Sequence, residues 1–101
     1  MEKELFNQVC SRFNQPIPDI LIAIIEESCE NVCKSAEQLS DDDKLNSAII
    51  CTGMTLQMLK ATITASLPFA DSINLNYRGC SFLIDKNHWV LSIDLPEIKP
   101  Y

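Results

Sequence analysis

Cysteine is the residue type in this sequence best suited to metal binding, and two cysteines have a suggestive spacing. Cys29 and Cys33 lie four residues apart, so a helix would place both thiols on one face. A structural zinc site needs four ligands, and the C-x-x-C pair typical of such sites does not occur in the sequence. Because free cysteine commonly packs as a small apolar side chain, we predict that Cys29 and Cys33 are core residues that bind no metal.

The single histidine, His88, could activate a cysteine as a nucleophile. We consider Cys80 as the candidate partner of His88. In the hairpin predicted below, His88 flanks the turn and Cys80 lies at the far end of the partner strand, roughly 16 Å away at ~3.3 Å per residue. Their side chains would also point to opposite faces. We therefore predict no dyad between them and interpret His88 as a surface residue beside a turn.

Other catalytic and cofactor-binding patterns are missing from the sequence. General acid–base catalysis needs a desolvated carboxylate beside a second group, whereas the acidic residues here cluster in a helix cap and on a solvated helix face. Glycine-rich phosphate-binding loops and nucleophile elbows do not occur in the sequence, which contains two widely separated glycines. The sequence therefore predicts a protein that is not an enzyme, with no catalytic residues and no cofactor.

The net charge of −6 is confined to the first half of the chain. Residues 1–44 contain ten acidic and four basic residues, whereas residues 45–101 contain four of each. Nucleic-acid binding requires a basic face, so we expect no nucleic-acid partner. Three helices and a hairpin have the outline of a winged-helix DNA reader, but the third helix would offer phosphates only Lys44 and Lys60.

The expected location follows from the N-terminus and the cysteines. The first residues lack the basic and apolar regions of a secretory signal. The strongest apolar run, Ile20–Ile25, is six residues long, whereas a membrane-spanning helix needs ~20. Five cysteines, an odd number, are typical of reduced thiols in a cytosol. We therefore expect a cytoplasmic protein that does not contact a membrane.

The length and the apolar periodicity predict one domain over 1–101, with a helical part over 1–67. A short first helix over 2–14 ends before two closely spaced prolines. A medium second helix over 18–38 contains the Ile20–Ile25 run, which is apolar all round. Such a segment should be buried on several sides or against another chain.

The third helix, over 41–67, is predicted to be long and central. Ser40 should cap its first turn, where three aspartates complement the helix dipole. At ~1.5 Å per residue it is about 40 Å long, so it should protrude from a domain of ~13 Å radius of gyration or pack against a second subunit. Two stripes with 4-3-4-3-4 spacing predict two neighbours. The first stripe is Leu45, Ile49, Thr52, Leu56, Leu59 and Ile63, and the second is Ser47, Cys51, Met54, Met58, Ala61 and Ala65.

Alternating apolar residues predict a C-terminal three-stranded antiparallel β-meander over 72–96, and hence an α+β fold. Arg78-Gly79 should form its first turn. The second hairpin should turn at 85–88, because this register places six apolar residues on one face. Those residues are Cys80, Phe82 and Ile84 on one strand, opposite Ile93, Leu91 and Trp89 on the other.

Surplus apolar surface on helices two and three points to association, because such surface usually marks an interface. We predict a small non-enzymatic protein-binding protein, an adaptor, chaperone-like factor or inhibitor, that forms a homodimer and binds another protein. One alternative is that helix one and the meander cover both stripes within a single chain. Another is a small-molecule or nucleotide binder with a pocket between helices and sheet or at a subunit interface. Candidate interface residues are Ile20, Leu21, Ile24, Ile25, Met54 and Met58, and candidate ligand contacts are Tyr77, Arg78, His88 and Trp89.

Overall fold

Three helices precede a β-hairpin in the computed structural model of the chain, which describes residues 2–13, 17, 19–35 and 37–93. The prolines predicted to end the first helix lie outside these ranges. A short 3₁₀ segment follows the third helix, and another follows the second strand. The elements are α1 (Glu2–Cys10), α2 (Asp19–Ser35), α3 (Asp41–Ser66), 3₁₀ (Leu67–Phe69), β1 (Ser72–Tyr77), β2 (Cys80–Asp85) and 3₁₀ (Trp89–Ser92).

Helix α3 begins where its capping signal predicts. The backbone N–H of Asp43 donates to the Ser40 side-chain oxygen at 3.2 Å, and the N–H of Lys44 donates to the Ser40 carbonyl at 2.9 Å. The three aspartates occupy the first turn, next to the positive end of the helix dipole. The Ser40 cap is therefore confirmed, and it fixes the start of the longest element in the fold.

The core lies where α2 packs against α3 and α1 covers both helices. On α2, the side chains of Ile20, Leu21, Ile24 and Ile25 are at most 1% exposed. The first predicted stripe of α3 faces this core, because five of its six members are buried and the sixth is half-buried. The buried members are Leu45, Ile49, Thr52, Leu56 and Ile63, and the half-buried member is Leu59.

Strands β1 and β2 form an antiparallel hairpin around Arg78-Gly79, so the predicted first turn is confirmed. Both turn residues have positive φ, 51° at Arg78 and 81° at Gly79. Two left-handed residues match the right-handed twist of the flanking strands, which is why such turns favour tight hairpins. The inner face of the hairpin carries alternate residues of β1 and the fully buried Ile84 of β2.

The predicted three-stranded meander is wrong, because the described residues form a two-stranded sheet. Trp89–Ser92 forms a 3₁₀ turn instead of a third strand, and the predicted continuation over 94–96 lies outside the described residues. The predicted second-hairpin register is wrong with it. Cys80, Phe82 and Ile84 pair with Tyr77, Leu75 and Ile73 of β1 rather than with Ile93, Leu91 and Trp89.

Local hydrogen bonds explain the missing strand. The Asp85 carboxylate accepts the N–H of Asn87 at 2.8 Å, and the His88 Nδ1 accepts the N–H of Val90 at 3.2 Å. The N–H of Leu91 donates to the His88 carbonyl at 3.0 Å. These bonds use donors that a strand ladder would need, and they tighten the chain into a 3₁₀ turn. Val90 and Ile93, three residues apart, then become buried together.

Thr52 places an unsatisfied hydroxyl in the helical core, and substitution can test its effect on stability. Its side chain is 1% exposed, and its hydroxyl Oγ1 has no hydrogen-bond partner within the described chain. Because Val keeps the shape and removes an unsatisfied polar group, we expect Thr52→Val to raise the free energy of unfolding by about 1 kcal/mol. Thr62→Val is the matched control, since the Thr62 hydroxyl is exposed and bonded to the Met58 carbonyl. Urea denaturation measures both, and a loss of stability in Thr52→Val would contradict the assignment.

Candidate functional site

The side of α3 that faces away from the core is apolar. We call it the methionine face and define it by five exposed residues, Ile50, Met54, Met58, Ala61 and Ala65. The exposed fractions are 45% for Ile50, 62% for Met54 and 70% for Met58. With ~3.6 residues per turn, these positions lie about half a turn around the helix from the buried first stripe. Burial of that stripe therefore turns the methionine face to the outside.

The methionine face also lacks charge. Between residues 45 and 66 the only charged side chain is Lys60, and its amine donates to the Ile93 carbonyl at 2.8 Å. The hydroxyls of Thr62 and Ser66 donate to carbonyls of α3 itself, at 3.0 Å and 2.9 Å. An outward helix face normally carries charged residues. This one presents two thioethers and small apolar side chains to its surroundings.

The same lack of charge makes α3 similar in composition to a membrane-spanning helix. The segment Asp41–Phe69 is long and apolar enough to cross a bilayer. Of its most apolar stretch of 18 residues, 28% is buried in the fold. Core helices of soluble proteins pass the same test, so length and composition discriminate weakly between the two environments.

The six candidate interface residues separate into two groups. Ile20, Leu21, Ile24 and Ile25 lie in the core of the chain itself, where α3 and α1 already cover them. Met54 and Met58 lie on the surface, and Ile50 joins them as a residue that the sequence patterns did not single out. The absence of charge between Lys44 and Lys60 was the sequence signal that could have located this face.

The hairpin turn is tied to α2 by two side-chain contacts. The Tyr77 hydroxyl donates to Glu27 Oε2 at 2.5 Å, and one Arg78 guanidinium nitrogen lies 3.2 Å and 3.1 Å from the two Glu30 carboxylate oxygens. Burial raises the pKa of Tyr77 above its usual range, and the adjacent Glu27 carboxylate raises it further. Tyr77 and Arg78, predicted as ligand contacts, thus hold the hairpin against the helix.

The other two predicted ligand contacts lie elsewhere. His88 follows β2 at the end of the hairpin opposite the turn, so five residue steps along β1, roughly 17 Å at ~3.3 Å per residue, separate it from Tyr77. The His88 ring is engaged by the Val90 N–H. Trp89 begins the second 3₁₀ segment, and its side chain lies outside the described residues. Within the described part of the chain, Tyr77 and His88 therefore lie too far apart to line one pocket.

The five cysteines, all among the described residues, form no disulfide bond and are spread over the helices and the hairpin. Cys29 is buried in the core, Cys33 is half-buried one turn later, and Cys80 is exposed beside the turn. Among the described residues, no group of three or more His, Cys, Asp or Glu side chains comes together as a metal site would require. Burial of Cys29 agrees with its interpretation as an apolar packing residue.

A cavity of about 350 Å³ opens between α1 and α2, and its volume is within the range of small-molecule sites. Lys3 and Phe6 line it from α1, while Glu26, Cys29 and Glu30 line it from α2. Its rim therefore offers one ammonium and two carboxylates around an apolar floor. Glu30 also contacts Arg78, so this cavity adjoins the attachment of the hairpin.

The Tyr77–Glu27 contact predicts a late tyrosine titration. A neutral phenol donates to Glu27, so the raised pKa means that this contact stabilises the fold below pH ~10, the ordinary value, and is lost as pH rises further. When phenolate absorbance is followed, Tyr77 should ionise above pH ~10, the ordinary tyrosine value. Tyr77→Phe should remove this transition and reduce stability at neutral pH by about 1 kcal/mol, since the bond is partly exposed.

The control for this titration is Tyr101→Phe, which should keep the transition assigned to Tyr77. Stability measured against pH should show the difference between Tyr77→Phe and the parent chain shrinking above pH ~10. Ionisation of Tyr77 near the ordinary tyrosine pKa would show that its hydroxyl does not donate to Glu27.

Comparisons with known proteins identify no relative of this chain. No family model matches it, and neither a curated protein nor a solved structure does. A functional assignment therefore depends on the surfaces described above, of which the methionine face is the most unusual in its chemistry.

Proposed function

We propose that this chain is a non-enzymatic protein-binding protein, of the adaptor, chaperone-like or inhibitor type, that self-associates through the methionine face of α3. The observation that carries the proposal is the exposure of Ile50, Met54 and Met58 on a helix side without charge. Exposed apolar patches on a folded domain commonly mark sites of protein association. Methionine suits such sites because its flexible thioether adapts to varied partners.

The small size of the methionine face favours a weak, exchanging association over a permanent one. Ile50 and Ala65 are fifteen residues apart, so the face is about 22 Å long on a helix about 10–12 Å wide. A standard interface buries ~800 Å² per partner, which is more than one helix face of this length supplies. We therefore expect a micromolar dimer that exchanges with its monomer, which leaves the same face accessible to another protein.

Self-association can be tested with a charge placed in the face. We expect sedimentation of the parent chain between ~1 and ~300 µM to show a monomer–dimer equilibrium, the range appropriate for a small interface. Met58→Glu should weaken it at least ~100-fold, because the dimer would bury an unpaired carboxylate. The matched control is Leu83→Glu, which changes a similarly exposed residue, 66% against 70%, on the outer face of the hairpin.

The control variant should dimerise like the parent chain, and circular dichroism should show both variants folded. A parent chain that stays monomeric over this range, or equal weakening by both substitutions, would refute self-association through the methionine face.

A small-molecule binding function is the second candidate, and the α1–α2 cavity is the observation that favours it. We expect any such ligand to be small and cationic or zwitterionic, because Glu26 and Glu30 give the rim more negative than positive charge. A thermal-shift screen of cationic and zwitterionic metabolites tests this, with nucleotides as the anionic comparison and Glu26→Gln as the site variant. Stabilisation of the parent chain that Glu26→Gln abolishes would support the cavity, whereas no stabilisation by any compound would count against it.

A further inference from the structure

We infer that the methionine face binds a second copy of this chain with the two α3 helices antiparallel, on a two-fold axis that passes beside Gln57 and Met58. This inference rests on the proposed self-association and adds its geometry. Two-fold dimers use the same surface on both subunits, so the face has to be complementary to itself. The order of large and small residues along α3 meets that requirement.

For two pairs of positions, a large residue on one side of the centre of the methionine face corresponds to a small residue at the same distance on the other side. Positions 50 and 65 are equally distant from a point between Gln57 and Met58, and so are positions 54 and 61. In an antiparallel pair centred there, Ile50 faces Ala65 of the partner subunit and Met54 faces Ala61 of the partner subunit. Ile50 and Met54 then each meet a small side chain, which is how packed layers interdigitate.

At the axis, each central side chain meets its own copy. Gln57 and Met58 lie on opposite edges of the face, because consecutive residues are ~100° apart on a helix. The two copies of Met58 would therefore pack together on one edge. The two copies of Gln57 would meet on the other edge, where primary amides can donate to and accept from each other.

A parallel pair would be worse in both packing and charge. Identical residues would face each other, so bulky Met54 would oppose Met54 of the partner subunit while two alanines left a gap at position 61. The aspartates in the first turn of α3, Asp41–Asp43, would also come together from both chains. In the antiparallel pair the two groups of aspartates lie at opposite ends of the paired helices. At a rise of ~1.5 Å per residue, the distance between them is far larger than the ~10 Å Debye length, so their repulsion is screened.

A lipid surface is the other apolar environment that α3 could meet. The net charge of the chain is −6, and three aspartates begin this helix. Anionic lipid surfaces attract basic segments and repel acidic ones. Complementarity of the face with itself has no role at a fluid lipid surface, whereas it is required at a two-fold interface. The second copy is therefore the occupant that these features favour.

The arrangement is testable with a charge pair placed across the interface. Met54→Glu and Ala61→Lys should each be monomeric alone at concentrations where the parent chain is dimeric. An equimolar mixture should form a heterodimer at least ~10-fold tighter than either variant alone, because one introduced carboxylate then faces one introduced ammonium. A two-fold dimer contains two contacts between positions 54 and 61. In the heterodimer the second of them, between Ala61 of one variant and Met54 of the other, keeps its native residues. Sedimentation with one fluorescently labelled variant measures this.

The control mixture is Met54→Glu with Met54→Lys. In the antiparallel dimer the two copies of position 54 are seven residues apart along the axis, ~10 Å, so this mixture should stay weak. Recovery in this mixture and not in the first would overturn the antiparallel arrangement and leave self-association intact. A parent chain that is monomeric at every concentration would refute the proposed function itself. Binding of the parent chain to phosphatidylcholine vesicles, lost in Met54→Glu, would assign the face to lipid and overturn both.

Discussion

The packing of α2 against α3 is the constraint on which the rest of this structure depends. Burial of the Ile20–Ile25 side of α2 requires an apolar helix face opposite, and the first stripe of α3 provides it. A helix is rigid, so burying one stripe fixes the direction of every other residue on it. Met54 and Met58 are exposed because Leu56 and Thr52 are buried, and no other element of the described chain covers that side.

The hairpin depends on the same packing. A two-stranded sheet is at best marginally stable alone, so β1 and β2 need a surface to pack on. That surface is the helical core, into which Ile84 is fully buried. The contacts of Tyr77 and Arg78 with α2, and of Lys60 with the Ile93 carbonyl, then hold the two ends of the hairpin segment. Polar residues here attach one element to another.

Periodicity in the sequence predicted the secondary structure well where buried residues recur at a regular spacing. It predicted it poorly where local hydrogen bonds determine the backbone conformation. The Ser40 cap, the buried stripe of α3 and the Arg78-Gly79 turn were all recognisable in the sequence. The alternation of Trp89, Leu91 and Ile93 was equally regular, yet Asp85 and His88 divert the backbone into a 3₁₀ turn in which Val90 and Ile93 are buried. Spacing also singled out Met54 and Met58, which the structure exposes. It could not tell whether the Ile20–Ile25 run is covered by its own chain, since that depends on tertiary packing.

The distribution of charge gives a reason why association would use α3 rather than another surface. The excess negative charge lies in residues 1–44, and Glu26, Glu27 and Glu30 place part of it on α2. Two copies that met through α2 would bring these carboxylates together and repel each other. Residues 45–66 carry no net negative charge, so two copies can approach through α3 without that cost. The acidic α2 and the uncharged methionine face of α3 thus act together, because the first disfavours contact between two copies and the second permits it.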